Sequence, residues 1–122
     1  MRIAVLVSGS GSNLQAIIDA AAADPAFPAE IALVLSDRPG VRGLDRAEAV
    51  GIPTKVVAWS DHTDRASFTN AVCDAIEASD AEGVVLAGFM RILSAEAVQR
   101  FPNRILNIHP SLLPAFAGGQ AI

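Results

Sequence analysis

The sequence predicts an α/β fold, an open parallel sheet with helices on both faces. Three observations predict it. Short apolar runs rich in β-branched residues recur along the chain. Stretches with apolar residues at helical spacing separate them, and Gly- or Asp-containing loops punctuate the junctions. Strands that alternate with helices imply parallel pairing through right-handed crossovers. The 122 residues fit one domain spanning 1–122, and a composition 52% apolar suffices for one packed core. No repeat, linker or low-complexity tract interrupts it.

The first strand is Ile3 to Val7, a continuous apolar run of the kind buried on both faces of a sheet. Gly9-Ser10-Gly11-Ser12-Asn13 follows, then a helix striped by Leu14, Ile17, Ile18, Ala21 and Ala22, closed by Pro25 and Pro28. Ile31 to Leu35 is the second strand and Ser36 to Gly40 its loop. Leu44, Ala47 and Val50 mark the second helix, with Gly51 placed as its C-terminal cap. The third strand is Thr54 to Ala58. A polar loop leads to Asp64, an N-cap for a helix striped by Phe68, Val72 and Ile76. Gly83 to Ala87 is the fourth strand. A short helix from about Ser94 to Arg100 ends before Pro102, and Arg104 to Ile108 form the fifth strand.

Net charge is −4, and Lys and Arg are scattered, so there is no phosphate-backbone footprint of a nucleic-acid binder. Aromatics, at 5%, are too few for a base-stacking platform. The single Cys73 lies beside the Val72 stripe and reads as a small buried hydrophobe rather than a nucleophile. Trp59 reads as a packing residue. One cysteine and no CxxC fit a reducing compartment. The apolar run at the N-terminus is too short for a signal peptide or a membrane span, so a soluble cytoplasmic protein is expected. His62 stands alone in a polar loop and no HxxxH occurs, so no metal is expected.

In an open parallel sheet, ligands bind beyond the carboxyl ends of strands, where strand order reverses. The loops after the first, fourth and fifth strands qualify. Gly9 to Asn13 lets the backbone approach a ligand and points helix amides at an anion. It lacks the Lys of a P-loop, and Leu14 replaces the third glycine of a dinucleotide fingerprint. A plain turn with Ser12 or Asn13 capping the helix is the alternative. Gly88-Phe89-Met90-Arg91-Ile92-Leu93 either walls an apolar slot for a flat heterocycle or folds onto its own core with Arg91 in solvent. Alternation puts Asn107 and His109 on one face of the fifth strand and Ile108 on the other. An amide that holds an oxyanion beside an imidazole that moves a proton suits acyl transfer. A His that only bonds its loop remains the alternative.

Val7 to Asp19, Val85 to Leu93 and Leu106 to Pro114, three long segments in order, resemble the phosphoribosylglycinamide formyltransferase family. The resemblance covers essentially the whole chain and implies that family's Rossmann-like fold. It also implies transfer of a formyl group from 10-formyltetrahydrofolate to glycinamide ribonucleotide in de novo purine synthesis. Gly11, Ser12 and Asn13 match the substrate phosphate loop. Arg65, Met90, Arg91, Ile92, Leu93 and Asn107 match folate contacts, and Asn107 and His109 match the catalytic pair. No metal is implied. The partner is a small molecule, with no nucleic acid and no membrane, and the oligomeric state is left open, a homodimer included.

The family's chain continues further and carries an Asp that partners the His. Residues 1–122 are therefore expected to be its N-terminal portion, with an incomplete site. Ala117 and Gln120 stand where the family usually has Pro and often has His. Methionyl-tRNA formyltransferase shares the His-Pro-Ser-Leu-Leu-Pro segment but not this Gly-Ser-Asn loop, and the acidic balance disfavours RNA. Formyltetrahydrofolate deformylase usually carries an extra N-terminal domain. A non-catalytic nucleotide-binding module is the rival of another class, with Asp37 at the end of the second strand as its ribose acceptor.

Overall fold

The computed structural model describes residues 1–108. Five parallel strands, β1 (Arg2–Val7), β2 (Glu30–Ser36), β3 (Thr54–Val56), β4 (Gly83–Ala87) and β5 (Ile105–Ile108), form one sheet in the order β3-β2-β1-β4-β5. The helices are α1 (Ser12–Ala23), α2 (Arg42–Glu48), α3 (Arg65–Ala78) and α4 (Ala95–Arg100).

Alternation along β1 explains why both faces are covered. Ile3, Val5 and Val7 point to one face, where Leu14 and Ile18 of α1 and Leu44 and Ala47 of α2 bury them. Ala4 and Leu6 point to the other, under Phe68, Val72 and Ile76 of α3 and Ala97 of α4. Phe68 is fully buried, and truncating such a side chain to Ala typically costs about 3–5 kcal/mol. Arg100 ties α4 to α3 through Asp74 at 2.9 Å and Glu77 at 2.6 Å.

The expected caps are present. Asp64 Oδ1 accepts the Ser67 amide at 2.7 Å, so α3 begins where the sequence places it. Gly51 adopts φ +78°. Its amide donates to the Glu48 carbonyl and the Ile52 amide to the Ala47 carbonyl, a Schellman ending for α2. The third strand is shorter than the expected Thr54 to Ala58. Past Val56 the chain still follows the end of β2, the Val57 amide donating to the Ser36 carbonyl at 2.9 Å and the Trp59 amide to the Asp37 carbonyl at 3.2 Å, but no longer as regular strand. A 3-10 turn, Trp59–Asp61, follows that has no signal in the sequence.

From β1 the chain builds outward through β2 to β3, then returns to place β4 on the other side of β1. Strand order thus reverses between β1 and β4, and their carboxyl ends open onto the loops 8–11 and 88–94.

Candidate functional site

The loop after β1 is fixed from behind. Gly11 has φ +75°, and a Cβ there would lie 2.7 Å from the Cα of Gly43, so only glycine fits. The Gly43 amide donates to the Gly9 carbonyl at 2.9 Å, and Arg46 Nε donates to the Ser10 carbonyl at 2.6 Å. Gly11 is also the N-cap of α1 and supplies no side-chain cap. Capping by Ser12 or Asn13 is therefore not what these residues do. The first helical bond runs from the Gln15 amide to the Gly11 carbonyl. The amides of Ser12, Asn13 and Leu14 donate to no other described residue and carry the positive end of the helix dipole.

The loop after β4 divides its side chains three ways. Phe89 stacks on Phe68 with centroids 6.4 Å apart, and Leu93 packs on the same core. Met90 and Ile92 point outward, 74% and 69% exposed. Arg91 turns sideways. Its Nε bonds Asp37 Oδ2 at 2.8 Å, and its guanidinium lies 4.9 Å from the Trp59 ring centroid. Trp59 is thus a packing residue, as expected, and also a platform for Arg91. Phe89 and Leu93 close the core, as the second sequence reading of this loop has it, while Met90 and Ile92 form an exposed apolar lip. Arg91 is not free in solvent. Asp37 is 1% exposed and ion-paired, which removes it as the ribose acceptor of a nucleotide-binding module.

The two loops touch. The Met90 amide donates to Ser8 Oγ at 2.7 Å, and Arg38 donates to the Ser8 carbonyl at 2.7 Å through Nη2. Ser8 is 1% exposed, directly before the glycine loop. Asn107 joins them from β5, in register with Leu86. Ile105 belongs to the α3–α4 core and Ile108 packs on the α1–α2 side. Asn107 therefore shares the face of Phe89 and Leu93, as alternation predicts. His109 lies outside the described residues, as do Pro110 to Ile122. Arg65 is the exposed first residue of α3, one turn before Phe68 and so on the side of α3 that meets Phe89.

Cys73 is buried in the α3 core, and burial pushes its thiol up to about 11. It stays protonated at neutral pH, which fits a packing role. His62 Nδ1 lies 2.8 Å from Ser67 Oγ. Among the described residues no group of three or more His, Cys, Asp or Glu is placed to hold a metal ion, and no helix is long and apolar enough to cross a membrane.

Nothing local in the sequence assigns four residues of this arrangement the contacts they make. Ser8, Asp37, Gly43 and Arg46 matter through partners far along the chain: Arg46 reaches Ser10 across 36 positions, and Arg91 reaches Asp37 across 54. The one available signal was the small Ser8 ending a fully apolar strand.

The chain matches a formyl transferase family model over residues 1–122. It is 48% identical over 120 residues to the trifunctional purine biosynthetic protein adenosine-3 of Bos taurus, covering 98% of this chain and 12% of that protein. It is 44% identical over 117 residues to phosphoribosylglycinamide formyltransferase of Haemophilus influenzae, covering 96% of this chain and 55% of the relative. Its fold is similar to that of glycinamide ribonucleotide transformylase 1 from Symbiobacterium toebii, with TM-score 0.86 and 44% identity over 97% of this chain and 55% of that structure. The chain spans about half the length of these single-function relatives.

Proposed function

As the chain belongs to the formyl transferase family, we propose that it carries the substrate loops and catalytic strand of a phosphoribosylglycinamide formyltransferase. The reaction is formyl transfer from 10-formyltetrahydrofolate to the amine of glycinamide ribonucleotide in purine synthesis. The observation that carries this reading is the meeting of two unlike loops at the strand-order reversal between β1 and β4, with Asn107 near the end of the neighbouring β5. An amide-rich glycine loop suits the phosphate of the ribonucleotide. Beside it, the exposed apolar lip of Met90 and Ile92 suits a flat pteridine.

In this reading Gly11, Ser12 and Asn13 hold the phosphate. Met90, Ile92 and Leu93 line the folate slot, with Arg91 and Arg65 at its rim. The exposed Met90 and Ile92, in the loop anchored by Phe89 and Leu93 on the Asn107 side of the sheet, fit a folate-type ligand. That ligand would supply the activated formyl carbon for the ribonucleotide's amine. Asn107 donates a hydrogen bond to the oxygen on which negative charge gathers; one such donor is typically worth about 10²–10³ in rate. His109 carries the proton from the incoming amine toward the departing nitrogen, worth about 10²–10⁴. The amine is itself the nucleophile, so Cys73 has no part in the chemistry.

The test is a formyl-transfer assay of the full-length gene product, with Asn107→Ala and His109→Ala. Both substitutions should cut kcat by about 10² or more. Activity within a few-fold of the parent for both, or no formylation of glycinamide ribonucleotide by the parent, would contradict the proposal.

A further inference from the structure

Arg46 stands outside every motif in the sequence, yet it makes the shortest polar contact to the glycine loop, from Nε to the Ser10 carbonyl at 2.6 Å. Its Nη1 donates at 3.2 Å to Gln15 Oε1, in the first turns of α1. One planar guanidinium therefore ties the loop and the helix that follows it into a single unit, which a point-charge ammonium cannot do with two fixed donors. Gln15 is itself oriented, since its Nε2 donates to Asp19 Oδ1 at 2.9 Å.

Gly43, three residues earlier, brings α2 close enough for this. A Cβ at Gly43 would meet Val7 Cγ2 at 3.0 Å and the Gly9 carbonyl oxygen at 3.2 Å. Gly43 and Arg46 share one face of α2 at i, i+3 spacing and press together on the loop. Between them they engage two successive loop carbonyls, Gly9 by the Gly43 amide and Ser10 by Arg46. The consequence is electrostatic. A peptide carbonyl turned toward an anion repels it, whereas a carbonyl held on the far side leaves the amide end of the loop and helix facing the ligand.

We infer that Arg46 is a positioning residue for phosphate binding: by holding the Ser10 carbonyl against α2, it fixes the loop with its amides toward the phosphate of the ribonucleotide. This rests on the functional reading above. It assigns Arg46 no contact with substrate and no role in the folate slot.

The experiment titrates glycinamide ribonucleotide, inorganic phosphate and a folate analogue separately into the full-length protein and its Arg46→Gln, Arg46→Lys and Gln15→Ala variants. Loss of a charge-assisted hydrogen bond predicts that Arg46→Gln weakens ribonucleotide and phosphate about tenfold or more. Folate affinity should stay within about twofold, and the ribonucleotide KM should rise while kcat at saturation stays near the parent's. Arg46→Lys, which keeps the charge and one donor, should recover part of the loss, and Gln15→Ala should cost only about two- to threefold. If Arg46→Gln does not fold, the Lys variant decides by the same selectivity. Parent-like ribonucleotide affinity in Arg46→Gln, or equal loss of ribonucleotide and folate, would overturn the inference. A parent that binds folate but no ribonucleotide would instead overturn the functional reading, and this role with it.

Discussion

The loops after β1 and β4 flank the same strand-order reversal, but they are held in opposite ways. The first is pinned through its backbone: Gly9 and Ser10 give their carbonyls to α2, and Gly11 rests on Gly43 with no room for a Cβ. The second is pinned through side chains. Phe89 and Leu93 anchor in the core, Arg91 is tied to Asp37, and Met90 and Ile92 are left outside. A loop that presents amides must have its carbonyls engaged elsewhere, since an unplaced carbonyl would face the anion. A loop that presents an apolar surface needs only firm anchors at its ends. Each mode of fixation thus matches the kind of ligand proposed for it.

Substitution at Gly11 breaks this contrast most severely. Gly11→Val forces a β-branched residue into left-handed φ and a Cβ into Gly43, strain of about 1–3 kcal/mol before any repacking. Ribonucleotide affinity should fall about 100-fold and folate affinity by no more than about twofold, measured by separate titrations. A common loss would mean that the loops are one site.

Asp37→Ala should give the converse, smaller effect. Arg91 loses its partner, a charge-assisted bond typically worth about 1.5–3 kcal/mol. The folate KM should rise about tenfold with the ribonucleotide KM unchanged. An unchanged folate KM would show that Phe89 and Leu93 alone hold the loop.

Ile92→Asn probes the lip itself. At 69% exposure Ile92 contributes little to stability, so Tm should move by no more than about 1 °C while folate affinity falls several-fold. Parent-like folate affinity would place the ligand elsewhere.

Cys73→Ala, in the α3 core, is the control and should leave both affinities intact. The wild-type thiol adds a pH signature. Burial raises it from 9.0 to about 11, so the folded state holds its proton more tightly than the unfolded chain. That stabilisation is complete below pH 9 and is lost as pH rises toward 11. Alkaline melting curves of wild type and Cys73→Ala should diverge in that window and coincide in slope below it.

Much of this organisation was legible in the sequence because its causes are local. The buried run Ala4 to Val7, the Asp64 cap and the Gly51 ending each follow from residue type and spacing. That Asn107 stands on the face of β5 opposite Ile108 followed from alternation alone, while which helices cover that face did not. What escaped depends on partners distant in the chain. The third strand ends early, at Val56, and the chain then bonds Ser36 and Asp37 on its way into the turn at Trp59. Asp37, a candidate for ribose by position, is buried with its Oδ2 paired to Arg91, and nothing near it in sequence announces this. Arg46 was invisible for the same reason, as α2 meets the glycine loop only once the sheet has formed.

Amide hydrogen exchange of the full-length protein, with each ligand added alone, tests the division of labour between the loops most directly. Glycinamide ribonucleotide should slow exchange at the amides of Ser12, Asn13 and Leu14 and leave residues 89–93 unchanged. A folate analogue should slow exchange in 89–93 and leave 12–14 unchanged. Protection of both loops by either ligand alone, or the reverse assignment, would contradict the account.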